Sequence, residues 1–487
     1  MNSRFIKMDS VSGLLSNKLV YGGALLSGGV ALVAAFTFIR SLLLARGISV
    51  EDFGIATALL TSLSLIQMST AIAVEKQVLQ DEEGASQRFL ATVHALSILR
   101  GAFCGVLMFL SAGPISEFFE LQDVLWAFQT VALAPVINGF VHYDFSSMQR
   151  ESRHAAAVWA NTAPEVFITL LLIPAMAIWP DYHAILVVCL GWPFTRLIVS
   201  HMVAERPYCV GVNTIQIIRL LKFSWPLMLS GLLLFLIFHG DRAIVGHYFD
   251  MKSLGYFSLI LTAFLLPSQL LHRIYDSLFL SPLSKSYQQG NGFDLKQSMI
   301  WNSLFVLSAG YVWFCILCGP WLFVVLFGEK YQPALDLLPW MVLMVTIRTL
   351  RIAPSLLAIA TARPICELYA NLSRAIALPL AVTSLLMNQP IESVVIAGII
   401  GETLALVVGF VSLKLPAFRV EGVPFDQRIA ALWLICVALS IVAGSLDFGP
   451  ALLLPIFTAG LLFLMGICFI HQYSHFNTTR ELAGDYL

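Results

Sequence analysis

The feature that most constrains this chain is the recurrence of apolar runs about as long as a bilayer is thick. A helix crossing the hydrocarbon layer needs about 20 mostly apolar residues. Runs of that kind lie near 19–45, 53–78, 89–111, 122–146, 157–178, 183–203, 223–249, 253–280, 298–319, 335–361, 364–387, 392–413, 429–446 and 450–472. The length rule therefore gives about 14 transmembrane helices. In lipid a backbone segment must satisfy its own polar groups, so an isolated apolar run of this length becomes a helix. Composition agrees, with 58% hydrophobic and 12% charged residues and a mean hydropathy of +0.83. Soluble domains carry about 25% charged residues. The expected fold class is all-α integral membrane. The longest connections, 204–222 and 281–297, are too short for a soluble domain. The first run is too long for a signal-peptide core and has no clear small-residue cleavage site after it, so it is expected to stay as a span. Nothing in the composition suggests a nucleic-acid partner.

Basic residues give an orientation. The even-numbered gaps hold Lys76 and Arg88, Arg150 and Arg153, Arg206 with Arg219 and Lys222, Lys285 and Lys296, Arg363, and Lys414 with Arg419 and Arg428. The odd-numbered gaps hold Arg46, Lys252 and Lys330, and several are acidic, as at Glu51 and Asp52. Both termini are therefore expected on the cytoplasmic side. Residues 212–223, VNTIQIIRLLKF, read as an amphipathic segment lying at the interface. Cysteines such as Cys315 and Cys318 fall in apolar runs and read as small packing residues rather than metal ligands. No metal and no cofactor is expected.

An internal repeat organises the spans. The stretch IRSLLLARGISVEDFGIATALL, 39–60, is echoed by HGDRAIVGHYFDMKSLGYF, 239–257. Arg40 aligns with Arg242, and Glu51-Asp52-Phe53-Gly54 aligns with Lys252-Ser253-Leu254-Gly255. The offset is about 200 residues, or six spans, and an even number keeps the orientation. Parallel repeats of this kind build two bundles related by an axis along the membrane normal. The expected organisation is an N-lobe over 1–203 (six spans), a cytoplasmic amphipathic linker over 204–222, a C-lobe over 223–413 (six spans) and two extra helices over 429–472.

Residues 36–60 resemble the opening of the polysaccharide transporter family, in the multidrug/oligosaccharidyl-lipid/polysaccharide flippase superfamily. That family's first span runs into an LAR–LS–EDFG turn, matched by Leu44-Ala45-Arg46 through Gly54. Its second-lobe pattern is matched by Asp241-Arg242-Ala243-Ile244-Val245-Gly246 and Leu254-Gly255-Tyr256-Phe257-Ser258. The resemblance implies two six-helix lobes around a central cavity. It also implies outward movement of an undecaprenyl-diphosphate-linked oligosaccharide by alternating access, for surface polysaccharide such as O-antigen or exopolysaccharide. The setting it implies is the bacterial inner membrane, with membrane lipid, a polysaccharide polymerase and a chain-length protein as partners.

Charges inside the spans show where function could sit. Arginines there are Arg40, Arg100, Arg196, Arg242, Arg273, Arg348, Arg351 and Arg374, and the acids are Asp144, Glu165, Asp241, Asp276, Glu367 and Glu402. Each arginine facing lipid would cost about 2.5–3.5 kcal/mol, so most must face protein or water. The balance is basic, which suits an anionic substrate, and the guanidinium fork fits phosphate. A diphosphate headgroup would meet Arg40, Arg242, Arg273, Arg348, Arg351 and Arg374. Arg348 and Arg351 share a helix face, as do Arg273 with Asp276 and His239 with Arg242. Asp241 is turned about 100° from Arg242, so one can line a cavity while the other meets a neighbouring helix. Glu165, Asp241, Asp276, Glu402 and His239 are candidates for ion coupling or counter-charge. Each of these arginines equally suits a staple between helices.

Two other functions compete. A cation-coupled drug exporter of the same fold would be expected to have an acidic, aromatic cavity. A membrane-embedded polysaccharide polymerase or ligase would need a substantial external loop with clustered acids and histidines, which this chain lacks. No glycine-rich nucleotide loop or zinc-protease helix appears, so the chain is not read as an enzyme.

Overall fold

A computed structural model describes residues 5–414, apart from positions 73, 82 and 291. The described residues contain helices and no strand. Twelve helical elements follow the expected spans in order. They are α1 (Phe5–Gly47), α2 (Val50–Gln80), α3 (Gln87–Phe118), α4 (Gln122–Gly139 and Asp144–Arg150), α5 (Ala155–Ile178), α6 (His183–Val203), α7 (Thr214–Tyr248), α8 (Met251–Gln289), α9 (Phe293–Leu317), α10 (Glu329–Ala360), α11 (Pro364–Leu386) and α12 (Glu392–Lys414). Eleven are long and apolar enough to cross a membrane, and the bent α4 makes up to 12. The expected spans at 429–446 and 450–472 lie outside the described residues.

Local chemistry starts and stops these helices. Ser49, Ser86 and Asn213 accept backbone N–H bonds at the starts of α2, α3 and α7. Glu51 and Asp52 add negative charge to the first turn of α2, where the helix dipole favours it. The Asn213 cap starts α7 at Thr214, so most of the expected interfacial segment is helical and continuous with the seventh span. Its buried face carries Gln216, Leu220 and Ser224.

The surface of α3 shows the solvent these helices were built for. Leu99, Phe103, Val106, Phe109 and Leu110 are 53–71% exposed on one face, while Cys104, Met108 and Ala112 are buried on the other. A soluble monomer rarely exposes an apolar stripe of this size. Hydrocarbon covers it without penalty.

The chain divides into two compact units, at Gly255 and Tyr256. Unit 1 holds α1 to α7 and the start of α8, and unit 2 holds the remainder. Within unit 1, α5 packs on α6 and α1, and α7 packs along α2. Within unit 2, α12 packs on α10 and α11. The α2–α7 packing depends on glycine. A Cβ on Gly231 would lie 2.0 Å from the Met68 carbonyl oxygen. Gly54 and Gly255 make a reciprocal contact. A Cβ on Gly54 would lie 1.8 Å from the Met251 oxygen, and one on Gly255 would lie 2.3 Å from the Val50 oxygen.

These distances give a test. Gly54→Ala and Gly231→Ala force backbone apart and should each destabilise by about 1–3 kcal/mol. Gly113→Ala, in α3 with nothing within 4 Å of its added methyl, should be neutral or slightly stabilising. Thermal unfolding of the three variants in one detergent checks the order. Equal behaviour would refute the close-approach reading.

Candidate functional site

Two buried carboxylates organise the charged side chains. In unit 1 Glu165, on α5, accepts from Arg40 Nη1 at 2.5 Å and from Trp192 Nε1 at 2.9 Å. Arg40 lies near the end of α1, and Trp192 lies on α6. Thr37, one turn before Arg40, approaches the same carboxylate at 3.4 Å. One cation thus meets one anion, and both carboxylate oxygens have donors.

In unit 2 Glu402, on α12, is 1% exposed and faces three guanidinium groups. Arg348 Nε and Arg374 Nε donate to Oε1 at 2.8 and 2.7 Å. Arg351 Nη1 donates to Oε2 at 2.7 Å. Arg351 Nη2 also donates to Asn371 Oδ1 at 2.9 Å and lies 3.7 Å from Glu367. Arg351 stands at the joint between the helical segments Leu338–Leu350 and Ile352–Ala360. The three arginine side chains keep 12–14% of their surface. Among the described residues, Glu402 and Glu367 are the carboxylates that these three guanidinium groups are seen to face. Low-dielectric surroundings strengthen every such bond and make removal of a partner costly.

The other expected residues are placed as follows. The Arg242 backbone N–H donates to Asp241 Oδ1 at 2.8 Å, and Arg242 Nη1 lies 3.5 Å from His239 Nδ1. His239 stacks on Phe235. Arg273 is exposed and makes no ion pair among the described residues. Asp276 pairs with His272, one turn earlier, at 3.5 Å. Thus Arg348, Arg351, Arg374 and Glu402 come together, as do Arg40 and Glu165, whereas Arg273 and Asp276 do not pair.

Two further span arginines have structural partners. Arg196 donates to Glu75 and to Asn161 at 3.3 Å, with its guanidinium 5.4 Å from the Trp192 ring centroid. Arg100 donates to the carbonyls of Gln67 and Thr70, 3.0 and 2.7 Å away, where α2 is interrupted. Sequence reasoning missed Trp192, Asn371 and Glu75. Glu75 sits beside Lys76 in what reads as a connection, and nothing local shows that it turns toward Arg196.

With this geometry described, comparison with known proteins adds a family and a fold. Residues 43–336 match the family described as polysaccharide biosynthesis protein. The chain belongs to that family. The Glu402 cluster lies beyond the matched residues. No curated protein matches this polysaccharide biosynthesis protein in sequence. Among solved structures, the lipid II flippase MurJ in an inward closed conformation is 13% identical, with a TM-score of 0.70, over 91% of this chain and 98% of that one. An inward-facing multidrug resistance MATE family transporter of the MOP superfamily is 14% identical, with a TM-score of 0.63, over 79% and 95%. The MATE transporter DinF-BH is 13% identical, with a TM-score of 0.54, over 81% and 94%. At these identities the likeness is one of fold, a multi-pass membrane fold shared with MurJ and the MATE transporters.

The two carboxylates predict different sensitivities. Glu402→Gln leaves three arginines without their common anion, whereas Glu165→Gln leaves one. Breaking a buried ion pair from one side costs about 3–5 kcal/mol. Glu402→Gln should therefore lower thermal stability more than Glu165→Gln, measured by unfolding of the purified protein. The reverse order would show that Glu402 does not anchor its cluster.

Proposed function

We propose that this polysaccharide biosynthesis protein is a flippase. It moves a lipid-linked oligosaccharide repeat unit, carried on undecaprenyl diphosphate, from the cytoplasmic to the outer face of the bacterial inner membrane by alternating access. Both termini are cytoplasmic in this reading, which the alternation of basic loops supports. The chain transports and does not catalyse. A polysaccharide polymerase and a chain-length protein would use the delivered unit.

The observation that carries the reading is the arginine cluster on Glu402, in a chain of this family. A diphosphate needs cationic donors of fixed geometry, and guanidinium forks supply them. Arg348, Arg351 and Arg374 gather three guanidinium groups at one place, and Arg40, Arg242 and Arg273 are proposed as further contacts. Glu402, Glu165, Asp241, Asp276 and His239 are proposed as counter-charges or ion-coupling groups. The basic balance of these sites favours an anion over the cationic drugs that a transporter of the same fold could export.

Deletion of the gene should leave lipid-linked repeat units on the cytoplasmic face and remove surface glycan. If single units reach the outer face without polymerising, the chain acts as a polymerase instead. If neither pool changes, the polysaccharide reading fails. Arg348→Gln with Arg351→Gln should lower flipping by about ten-fold or more at matched membrane levels, because a charged hydrogen bond contributes about 1.5–3 kcal/mol. Full transport by the double variant would remove the phosphate role, and loss of inserted protein alone would make these arginines staples.

A further inference from the structure

We infer that the segment joining α6 to α7 is a pH-sensitive latch, closed by neutral His94 and His142 and released when they take up protons. The helix α4 breaks by 48° between Gly139 and Asp144. A break in a helix frees backbone N–H groups, and buried ones must find other acceptors. His142 N–H donates to Ser200 Oγ at 3.0 Å, Tyr143 N–H to His94 Nε2 at 3.2 Å, and Asp144 N–H to His142 Nδ1 at 3.1 Å.

A ring nitrogen that accepts an N–H carries no proton of its own. The opposite nitrogens face carbonyls, which can only accept. His94 Nδ1 lies 2.9 Å from the Cys209 oxygen, and His142 Nε2 lies 3.0 Å from the Arg206 oxygen. Both tautomers are therefore fixed, and both rings are neutral. Each imidazole bridges a backbone donor at the α4 break and a carbonyl on the 204–213 segment. The rings are 1% and 2% exposed, with centroids 4.8 Å apart. A second proton on either ring sets N–H against N–H, strands the Tyr143 or Asp144 amide, and places like charges close together.

The groups around the rings set the terms of release. From α6, exposed His201 stands edge-on to His142 at 5.3 Å, and its Nδ1 bonds the Leu197 carbonyl. From α4, buried Asp144 accepts the Glu205 and Arg206 amides at 2.9 and 3.1 Å and lies 3.6 Å from the Arg206 side chain. On the segment, Tyr208 stacks on His94 at 4.3 Å. Burial pushes the Tyr208 hydroxyl up to about 12, so it stays neutral. The Arg153 hydrogen bond holds the Glu205 carboxyl below its usual range, so that pair stays charged through mild acid. Imidazole is the side chain whose ordinary titration lies in the mildly acidic range, so His94 and His142 are the latch's proton acceptors.

The sign follows. The bonded form needs neutral rings, so latch stability is present at neutral pH and is lost on acidification. Release would free the connection between the sixth and seventh spans, where Gln216 at the start of α7 is held by Thr92 of α3 at 2.8 Å.

Hydrogen exchange on the full-length protein in nanodiscs tests this, with labelling times scaled for intrinsic rates. Between pH 7.5 and 4.5, amides of 204–213 should lose protection by about ten-fold or more, as expected for linked proton uptake. Peptides from the lipid-facing half of α3 should not change. His94→Gln with His142→Gln keeps a donor and an acceptor on each side chain and removes titration, so its protection should be the same at both pH values. Unchanged protection in the wild type, or equal loss in the double variant, would overturn the latch. If the double variant fails to fold, His201→Gln serves instead. It removes a charge that opposes protonation of His142, so release should move to higher pH, and an unmoved midpoint would overturn the proposal.

Discussion

A carboxylate removed from water must be met by cations that the fold delivers, and Glu402 shows how far that requirement reaches. It brings together Arg348 and Arg351 from α10 and Arg374 from α11 around one side chain of α12. In lipid, helices gain little from burying apolar surface against each other, because the tails are as apolar as the side chains. Small residues and polar bonds therefore set which helix faces meet. Glu165 does the same on a smaller scale, tying α1 and α6 to α5.

The same shortage of water governs the backbone. Where α2 is interrupted, the Arg100 guanidinium takes two of its carbonyls. Where α4 breaks, three successive amides are taken by a serine and two histidines. These two interruptions are met largely by polar side chains from other elements, and those side chains are what a continuous hydropathy profile conceals.

This explains what was legible in the sequence. Helix positions were, because apolar length alone dictates them in a bilayer; the sixth run and α6 share the bounds 183–203. The break in α4 was not, since its apolar pattern runs through residues 140–143 and its acceptors are Ser200 and His94, far along the chain. At the charged sites residue type was legible and pairing was not. Arg273 and Asp276 share a helix face by spacing, but Asp276 bonds His272. Arg348 and Arg351 share a face too, but the anion they share lies on another span. The amphipathic pattern did not show that α7 begins at Thr214, because it looks alike on a membrane surface and on a helix packed through Leu220 into its own unit.

The reciprocal glycine contact has an evolutionary consequence. Gly54 rests on the Met251 carbonyl and Gly255 on the Val50 carbonyl, so each of the two turns supplies both a glycine and the backbone that the other glycine meets. An insertion between positions 50 and 54 would displace one partner in each contact at once, and so would an insertion between 251 and 255. The side chains between the contacts differ in the two turns, Glu51-Asp52-Phe53 in one and Lys252-Ser253-Leu254 in the other. Neither turn can change length without disturbing both contacts, so variation at the two turns is confined to substitution.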